Sequence, residues 1–324
     1  MEKKITVLLA PSLELAKKVI EKGVPVATVE AEYGEDCIEG SLYTLAHHGS
    51  RSHNPAPCNT EITSISEGTI LISHIDLDTV GGVLALMNKK PENKEFWEAA
   101  EYIDVNGPHH MHELDIQIQN QMNAISAWQA LKHHDKTIDV KDVTEEINEY
   151  LEILVPVLDE KHPEHKHWIE QGKIWSKNIQ KEIESKLIAE TENVRVFKTD
   201  GIFCNASYYS PKLQRICPST IALNTKFDSI TIAFEDGGKK FSAREIAQSL
   251  WGPEAGGHNG IAGSPRGWKL TEAELMYELA RASAKLDMAF ANIKTEDKIN
   301  YNLNNNQINN ILKKKKSIDE YERE

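Results

Sequence analysis

The sequence predicts an α/β protein with a parallel-sheet domain, a helical connector and a smaller α+β domain. Three observations support this fold class. Residues 4–72 alternate apolar strand segments with a helical segment, an order typical of a parallel sheet with right-handed crossovers. Residues 113–190 carry apolar side chains at helical spacing. After residue 193, short apolar strands alternate with turns, and two helical segments follow.

Changes in these patterns define the expected domains. We place the parallel-sheet domain at residues 1–135, the helical connector at 136–192 and the smaller domain at 193–294. Residues 295–324 are rich in Asn and Lys and poor in apolar side chains, a composition that predicts a mobile polar tail. The elements of the first domain are expected, in chain order, at Lys4–Ala10, Leu13–Glu21, Val24–Glu32, Leu42–Ala46, Thr69–Ile72 and Glu92–Asp104.

Composition excludes several classes of function. The net charge of -13 argues against extended electrostatic binding of long nucleic acid. The four cysteines form no CxxC pair, which is typical of reduced thiols in the cytosol. The N-terminus lacks the apolar run of a signal peptide, and no other run is long enough for a membrane span. We therefore expect a cytoplasmic protein that does not act at a membrane.

A His and two Asp follow the apolar segment Thr69–Ile72. His74, Asp76 and Asp78 occupy alternate positions, so their side chains would converge if the backbone stays extended. Sites in open α/β sheets form at the carboxyl ends of strands, and an imidazole with carboxylates suits Mn²⁺, Fe²⁺ or Zn²⁺. The alternative is a polar turn in which Asp78 caps the next helix.

A second concentration of His follows Leu42–Ala46, in LAHHGSRSHNPAPC. Neighbouring side chains point in different directions, so one His can bind metal while the other faces the substrate. We assign these roles to His47 and His48 respectively, and Arg51 could bind a phosphate. The alternative is a surface loop in which these residues have no chemical role.

A third concentration follows the helix predicted to end at Asp104. His109 and His110 come after a Gly-Pro turn, and this turn could enter the same cleft as the first two segments. Asp104 and His109 are then further metal ligands, and His110 is a candidate general acid. Which of the two His pairs joins the metals stays open.

A Gly-rich loop lies between the helices of the smaller domain, in GGHNGIAGSPRG. Gly256 and Gly257 would let backbone N–H groups approach a phosphate. His258 could donate a hydrogen bond to substrate, and Arg266 could add a bidentate contact. The loop is not a Walker A sequence, which requires GxxxxGK[ST].

Two of these segments resemble the DHH–DHHA1 phosphoesterase superfamily, which includes RecJ-like and oligoribonuclease-like enzymes. SHIDLDTVGG is similar to the first metal motif of that family, and AREIAQSLWGPEAGGHNGIAG resembles the signature of its DHHA1 substrate domain. The Asp of the DHH triplet is missing, because Ala46 and Pro108 precede the two His pairs. The first His pair also comes before the Asp motif. This chain is therefore divergent from the family, and the order of its motifs is permuted or rewired.

The resemblance implies a DHH-like catalytic domain, a DHHA1-like substrate domain and two Mn²⁺ ions that share a carboxylate, with Zn²⁺ or Mg²⁺ as alternatives. It implies a metal-dependent phosphoesterase that hydrolyses a small nucleotide, a short oligonucleotide or a phosphorylated metabolite with metal-activated water. A homodimer is an oligomeric state common among such enzymes. The alternatives are a non-catalytic nucleotide sensor on the same fold and a metal-dependent hydrolase with a non-phosphate substrate.

Overall fold

The computed structural model describes residues 4–33, 36–132, 139–201, 204–265 and 268–292. The chain divides between Lys181 and Glu182 into two compact units. The predicted polar tail and Arg266 lie outside the described residues. Among the helices of the described ranges, none combines the length and the apolar character needed to cross a membrane.

The first unit is built on a five-stranded sheet with the order β5-β2-β6-β1-β7. The first four strands of this order are parallel to their neighbours, and β7 pairs with β1 in antiparallel orientation. A short hairpin of β3 and β4 follows β2. The strands are β1 (Ile5–Leu9), β2 (Ala27–Val29), β3 (Glu32–Tyr33), β4 (Asp36–Cys37), β5 (Tyr43–Leu45), β6 (Gly68–Ile72) and β7 (Lys141–Asp142).

Helices cover the sheet of the first unit through two hydrophobic cores. The smaller core joins α1 to Leu71 of β6, and the larger core joins α2, α3, α4 and α5 to Ile70 and Ile72. Adjacent residues of a strand point to opposite faces, so these two cores lie on opposite faces of the sheet. The helices are α1 (Leu13–Lys22), α2 (Leu77–Leu86), α3 (Lys94–Asn106), α4 (Ile116–Ala130), α5 (Thr144–Leu158) and α6 (His165–Lys186).

Two glycines bring α2 close to the loop that follows the His pair. A Cβ atom on Gly81 would lie 2.5 Å from Cys58 Cβ, and one on Gly82 would lie 2.7 Å from Pro57 Cβ. Only glycine leaves room for this approach, because side chains in cores are close-packed. The approach places the first turn of α2 beside the backbone of Cys58.

The structure corrects two expectations about local structure. The strand expected at Val24–Glu32 is shorter, because Glu30 has a left-handed backbone with φ of 49° after β2 ends at Val29. The extended backbone expected after Ile72 is interrupted because α2 begins at Leu77, so the side chains of His74, Asp76 and Asp78 do not converge.

Residues that we placed in a separate connector also contribute to the larger core of the first unit. Ile147, Ile153 and Leu154 of α5 are fully buried in that core, together with residues of β1 and β6. The apolar residues of α5 therefore recur at helical spacing because this helix packs against the sheet.

The second unit contains a six-stranded sheet with the order β14-β15-β13-β12-β9-β8. Its core joins this sheet to α7 (Ala243–Trp251) and to the helical residues 272–292. Arg195 is fully buried and pairs with Glu190 at 2.9 Å and with Glu184 at 2.5 Å. The strands of this unit are β8 (Leu187–Glu190), β9 (Val194–Thr199), β10 (Tyr209–Ser210), β11 (Arg215–Ile216), β12 (Ser219–Asn224), β13 (Ser229–Phe234), β14 (Gly256–Gly257) and β15 (Ile261–Gly263).

Candidate metal centre

Glu30 begins the site at the carboxyl end of β2. Its side chain is almost fully buried, and its backbone φ of 49° lies in the left-handed region. A residue with a Cβ atom adopts this conformation at a cost of about 1–2 kcal/mol. Strained backbone of this kind is concentrated at functional sites. The position therefore combines a buried carboxylate with a backbone conformation that reduces stability.

His47 and His48 follow the neighbouring strand, β5. Their ring centroids are 4.4 Å apart, and the rings are tilted by 40°. Glu32 holds the loop, because its carboxylate accepts a hydrogen bond of 3.2 Å from the His48 backbone N–H and lies 3.5 Å from Arg51. Asn54 donates a further hydrogen bond of 2.9 Å to the Ala46 carbonyl. The two imidazoles are thus fixed beside Glu30.

Asp78 and Asp104 reach the same place from two helices. Asp78 lies in the first turn of α2 and accepts a hydrogen bond of 2.7 Å from the Cys58 backbone N–H. Asp104 lies on α3, one turn after Glu101, whose carboxylate accepts a hydrogen bond of 2.6 Å from Asn59 in the loop that contains Cys58. The same loop therefore positions both aspartates.

The five residues form one carboxylate–histidine cluster: Glu30, His47, His48, Asp78 and Asp104. His47 Nε2 lies 3.1 Å from Asp78 Oδ2, 3.1 Å from Asp104 Oδ2 and 3.5 Å from Glu30 Oε1. His48 Nε2 lies 2.8 Å from Glu30 Oε2 and 3.5 Å from Asp104 Oδ2. Two sets of three ligand atoms result, one from Glu30, His47 and His48 and one from His47, Asp78 and Asp104.

The donor set fits a divalent cation better than a hydrogen-bond network. One imidazole N–H can donate one well-directed hydrogen bond, but His47 Nε2 faces three carboxylates. Within the described part of the chain, this nitrogen and the facing oxygens of Glu30, Asp78 and Asp104 are buried without an aligned hydrogen bond. Around a cation with bonds of ~2.0–2.2 Å, neighbouring ligand atoms are ~3.0–3.5 Å apart, close to the separations found here. The residues present therefore fit a metal ion.

The cluster also perturbs the protonation of its own members. Burial alone would lower the pKa of His47, but the nearby carboxylates of Asp104, Asp78 and Glu30 raise it to about 10. The pKa of His48 is raised chiefly by the Glu30 carboxylate, whose Oε2 lies 2.8 Å from His48 Nε2. Burial raises the pKa of Glu30. Without a bound cation, protons provide the positive charge that these carboxylates require.

His74 and Asp76 form a separate pair after β6. His74 Nε2 lies 2.9 Å from Asp76 Oδ2, and His74 Nδ1 lies 2.8 Å from Ser73 Oγ. Asp76 Oδ1 accepts a hydrogen bond of 2.8 Å from the Thr79 N–H, so Asp76, and not Asp78, is the N-cap of α2. Among the described residues, neither side chain belongs to the two ligand sets of the cluster.

Within the described ranges, the remaining predicted site residues belong to neither ligand set of the cluster. His109 and His110 lie in a 3-10 turn, Pro108–Glu113, with ring centroids 4.5 Å apart. His110 Nδ1 lies 3.1 Å from Glu113. In the second unit, Gly256 and Gly257 form the exposed edge strand β14, and exposed His258 donates its backbone N–H to the Ile261 carbonyl at 2.7 Å.

Sequence reasoning missed Glu30, which contacts both imidazoles of the cluster. In VPVATVEAE, Glu30 has the position of an exposed polar residue on an alternating strand. The usable signal was its place at the end of an apolar strand that precedes the His-bearing strand, since adjacent parallel strands end at the same edge of a sheet.

No family model matches the chain, and no curated protein matches it. Among solved structures, RecJ from Thermus thermophilus in complex with Mn²⁺ is similar with 16% identity over 86% of this chain and 44% of that chain, at a TM-score of 0.40. The pGpG-specific phosphodiesterase PggH from Vibrio cholerae is similar with 12% identity over 85% and 89% of the respective chains, at a TM-score of 0.41. This chain thus spans less than half of the RecJ chain. A similarity with TM-scores of this size carries no functional argument.

Proposed function

We propose that this protein is a metal-dependent phosphoesterase that hydrolyses a phosphoester of a small nucleotide or short oligonucleotide. The observation that carries the proposal is the buried His47 Nε2, which faces three carboxylates without an aligned hydrogen bond. A group of this composition binds hard or borderline divalent cations. Mn²⁺ is the ion that we favour, with Zn²⁺ or Mg²⁺ as alternatives.

The geometry of the cluster supports two ions. Asp104 Oδ2 lies within 3.5 Å of both His47 Nε2 and His48 Nε2, so Asp104 is the carboxylate that both sites would share. His47 and Asp78 would complete one site, and His48 and Glu30 would complete the other, so that each imidazole serves one ion. When bound, two divalent ions lower the pKa of water and clamp the attacking and leaving oxygens of an in-line displacement.

The other side chains of this edge of the sheet orient the ligands and handle a proton. The Cys58 N–H fixes Asp78, and Glu32 fixes the backbone of His48. His74 is half exposed, and its hydrogen bond with Asp76 is the chief cause of its raised pKa. We propose His74 as the general acid, which would donate a proton from Nε2 to the leaving oxygen once the hydrogen bond with Asp76 is released.

The second unit contributes to the proposal through its exposed edge strand. Gly256 and Gly257 present backbone groups without side chains, and His258 is exposed beside them. We propose that this edge is a phosphate-binding site of the second unit, which acts through N–H groups. A small phosphorylated substrate also agrees with the net charge of -13, which disfavours a long nucleic acid.

Hydrolysis of a 5′-phosphorylated dinucleotide, measured with chelator-treated protein and with protein reloaded with Mn²⁺, tests this function. We expect turnover only after reloading. The variant Glu30→Gln should lose ~100-fold or more of kcat/KM, because it removes a ligand from the cluster. The exposed Glu39→Gln is the matched control and should keep full turnover. Metal-independent turnover, or an unchanged Glu30→Gln variant, would contradict the proposal.

A further inference from the structure

A cavity of about 690 Å³ opens in the first unit at the carboxyl ends of β1 and β6. Its size is within the ~300–1,000 Å³ of sites that bind small organic molecules. It lies outside the carboxylate–histidine cluster, and of its lining residues only His74 takes part in the proposed chemistry. The lining residues that matter here are Leu9, His74, Ser126, Gln129, Tyr150 and Trp175.

The cavity is adjacent to the cluster through two consecutive residues. Ser73 and His74 both line the cavity. The Ser73 hydroxyl donates a hydrogen bond to the backbone carbonyl of Glu30, a cluster residue, and also contacts His74 Nδ1 at 2.8 Å. A ligand that places a phosphoester at the cluster can therefore extend past His74 into the cavity.

One wall of the cavity is aromatic and is held in place from behind. Tyr150 packs edge-on against Trp128 with ring centroids 5.1 Å apart, and its hydroxyl accepts a hydrogen bond of 2.7 Å from Gln129. Trp175 is supplied by α6, which approaches α4 so closely that a Cβ atom on Gly172 would lie 2.4 Å from the Ala124 nitrogen. Aromatic walls of this kind bind planar rings by stacking.

The charged side chains that line the cavity neutralise each other. Lys141 and Glu146, the charged pair of the lining, form an ion pair with each other. Ser126 and Gln129 add a hydroxyl and an amide, which can orient a polar ring through hydrogen bonds. An uncharged planar ring with polar edges fits this lining better than a second phosphate does.

We propose that this cavity binds the nucleobase of a nucleotide whose phosphoester lies at the carboxylate–histidine cluster, with Trp175 as the stacking residue. The inference rests on the proposed function and names the substrate class more narrowly. It assigns base recognition to the first unit, beside the cluster, and makes His74 the junction between the base and the reacting phosphate.

Calorimetric titration of the full-length Mn²⁺-loaded protein tests the assignment. The probes are the four common nucleoside 5′-monophosphates and ribose 5-phosphate, which lacks a base. At least one monophosphate should bind about 10-fold or more tightly than ribose 5-phosphate, the gain expected from stacking one base. If all five bind within about 3-fold of one another, the cavity does not recognise a base.

Variants on α6 and α4 test whether the preference for a nucleoside monophosphate over ribose 5-phosphate arises in this cavity. Trp175→Ala should reduce the preference to below about 3-fold, while Trp175→Phe should retain most of it. Ile174→Ala, an exposed neighbour on the same helix, is the control and should change nothing. Ala130→Trp, at an exposed lining position, should block the cavity without removing a core side chain. A preference that survives both Trp175→Ala and Ala130→Trp would overturn the assignment.

Two different outcomes would overturn the nucleobase site and the phosphoesterase activity. Mn²⁺-dependent hydrolysis without any base preference would overturn the nucleobase site and leave the phosphoesterase standing. Base preference that depends on Trp175, without hydrolysis of any phosphoester, would support the nucleobase site and overturn the enzymatic function.

Discussion

The carboxylate–histidine cluster and the His74–Asp76 pair follow neighbouring strands of one sheet, but they differ in whether their polar atoms are hydrogen-bonded. The facing atoms of the cluster are buried, and within the described residues they lack aligned hydrogen bonds. Asp76 is bonded on both oxygens, by His74 and by the Thr79 N–H, and His74 is bonded on both nitrogens. The cluster thus contains buried polar atoms that require a proton or a cation as partner, whereas the pair stabilises the start of α2.

This difference distinguishes His and carboxylate residues that bind a ligand from His and carboxylate residues that stabilise the fold. A capping Asp satisfies an orphan N–H and contributes to helix stability. Buried carboxylates that face one another require a positive charge, because desolvation of each one is costly. Removing a cluster carboxylate should therefore impair function strongly and relieve the metal-free fold, whereas removing Asp76 should impair function less and destabilise the fold.

The largest expected effect is on catalysis. Asp78→Asn and Asp104→Asn should each lower kcat/KM by about 10³-fold or more, because each removes a ligand charge at the reacting centre. Asp76→Asn keeps the capping oxygen and should lose about 10-fold, through the orientation of His74. Steady-state kinetics with Mn²⁺ measures all three variants. Equal losses in Asp76→Asn and Asp78→Asn would remove the distinction between cluster and pair.

A stabilising substitution should exist within the cluster. Glu30→Gly removes a left-handed L-residue and a buried carboxylate, so the free energy of unfolding of the chelator-treated protein should rise by about 1–2 kcal/mol. Denaturant unfolding measures the change. Asp228→Gly, at an exposed left-handed position with φ of 44°, is the matched control, and its gain should be smaller because it removes no buried charge. A less stable Glu30→Gly variant would show that the metal-free cluster is not strained.

The pair should respond in the opposite direction. Asp76→Ala removes the N-cap of α2 and should lower the free energy of unfolding by about 1 kcal/mol. Asp76→Ser restores a capping oxygen without the charge and should recover most of this loss. Thermal or denaturant unfolding of the two variants measures the difference. A full loss in Asp76→Ser would assign the stability to the contact with His74 instead of the cap.

The smallest effect is the pH dependence of His74. The pKa of His74 is raised in the folded protein, chiefly by its hydrogen bond with Asp76. A raised folded pKa gives stability that is fully present below the unfolded value of about 6.5 and is lost as the pH rises through the folded value. Because His74 is half exposed, the contribution should stay below about 1 kcal/mol. Unfolding of chelator-treated parent and His74→Gln should differ most below pH ~6.5 and converge at high pH; a difference that grows with pH would reverse the sign.

The sequence was sufficient for the regular elements of the first sheet. Apolar runs located β1, β5 and β6 to within one or two residues, and the element expected at Leu13–Glu21 matches α1 to within one residue. The same reasoning could not place the backbone after Ile72. His74, Asp76 and Asp78 have the spacing of an extended ligand strand, but Asp76 is also a strong N-cap, and the cap turns Asp78 into the first turn of a helix.

The membership of the cluster depended on tertiary packing. His47 and Asp104 are far apart in sequence, and they meet because the loop of Cys58 contacts both α2 and α3. That contact needs the close approach at Gly81 and Gly82, which a periodicity pattern does not reveal. Glu30 was hidden because an alternating strand pattern assigns its side chain to solvent, whereas a left-handed residue after Val29 directs it inward.

The most direct test of the central claim is a count of bound Mn²⁺ ions by equilibrium dialysis and elemental analysis. The parent protein, the Asp78→Asn, Asp104→Asn double variant and the Asp76→Asn variant are compared at the same free Mn²⁺ concentration. We predict about two ions per chain in the parent and in Asp76→Asn, and fewer than one in the double variant. Unchanged binding in the double variant, or loss of binding in Asp76→Asn alone, would contradict the assignment of the carboxylate–histidine cluster as the metal centre.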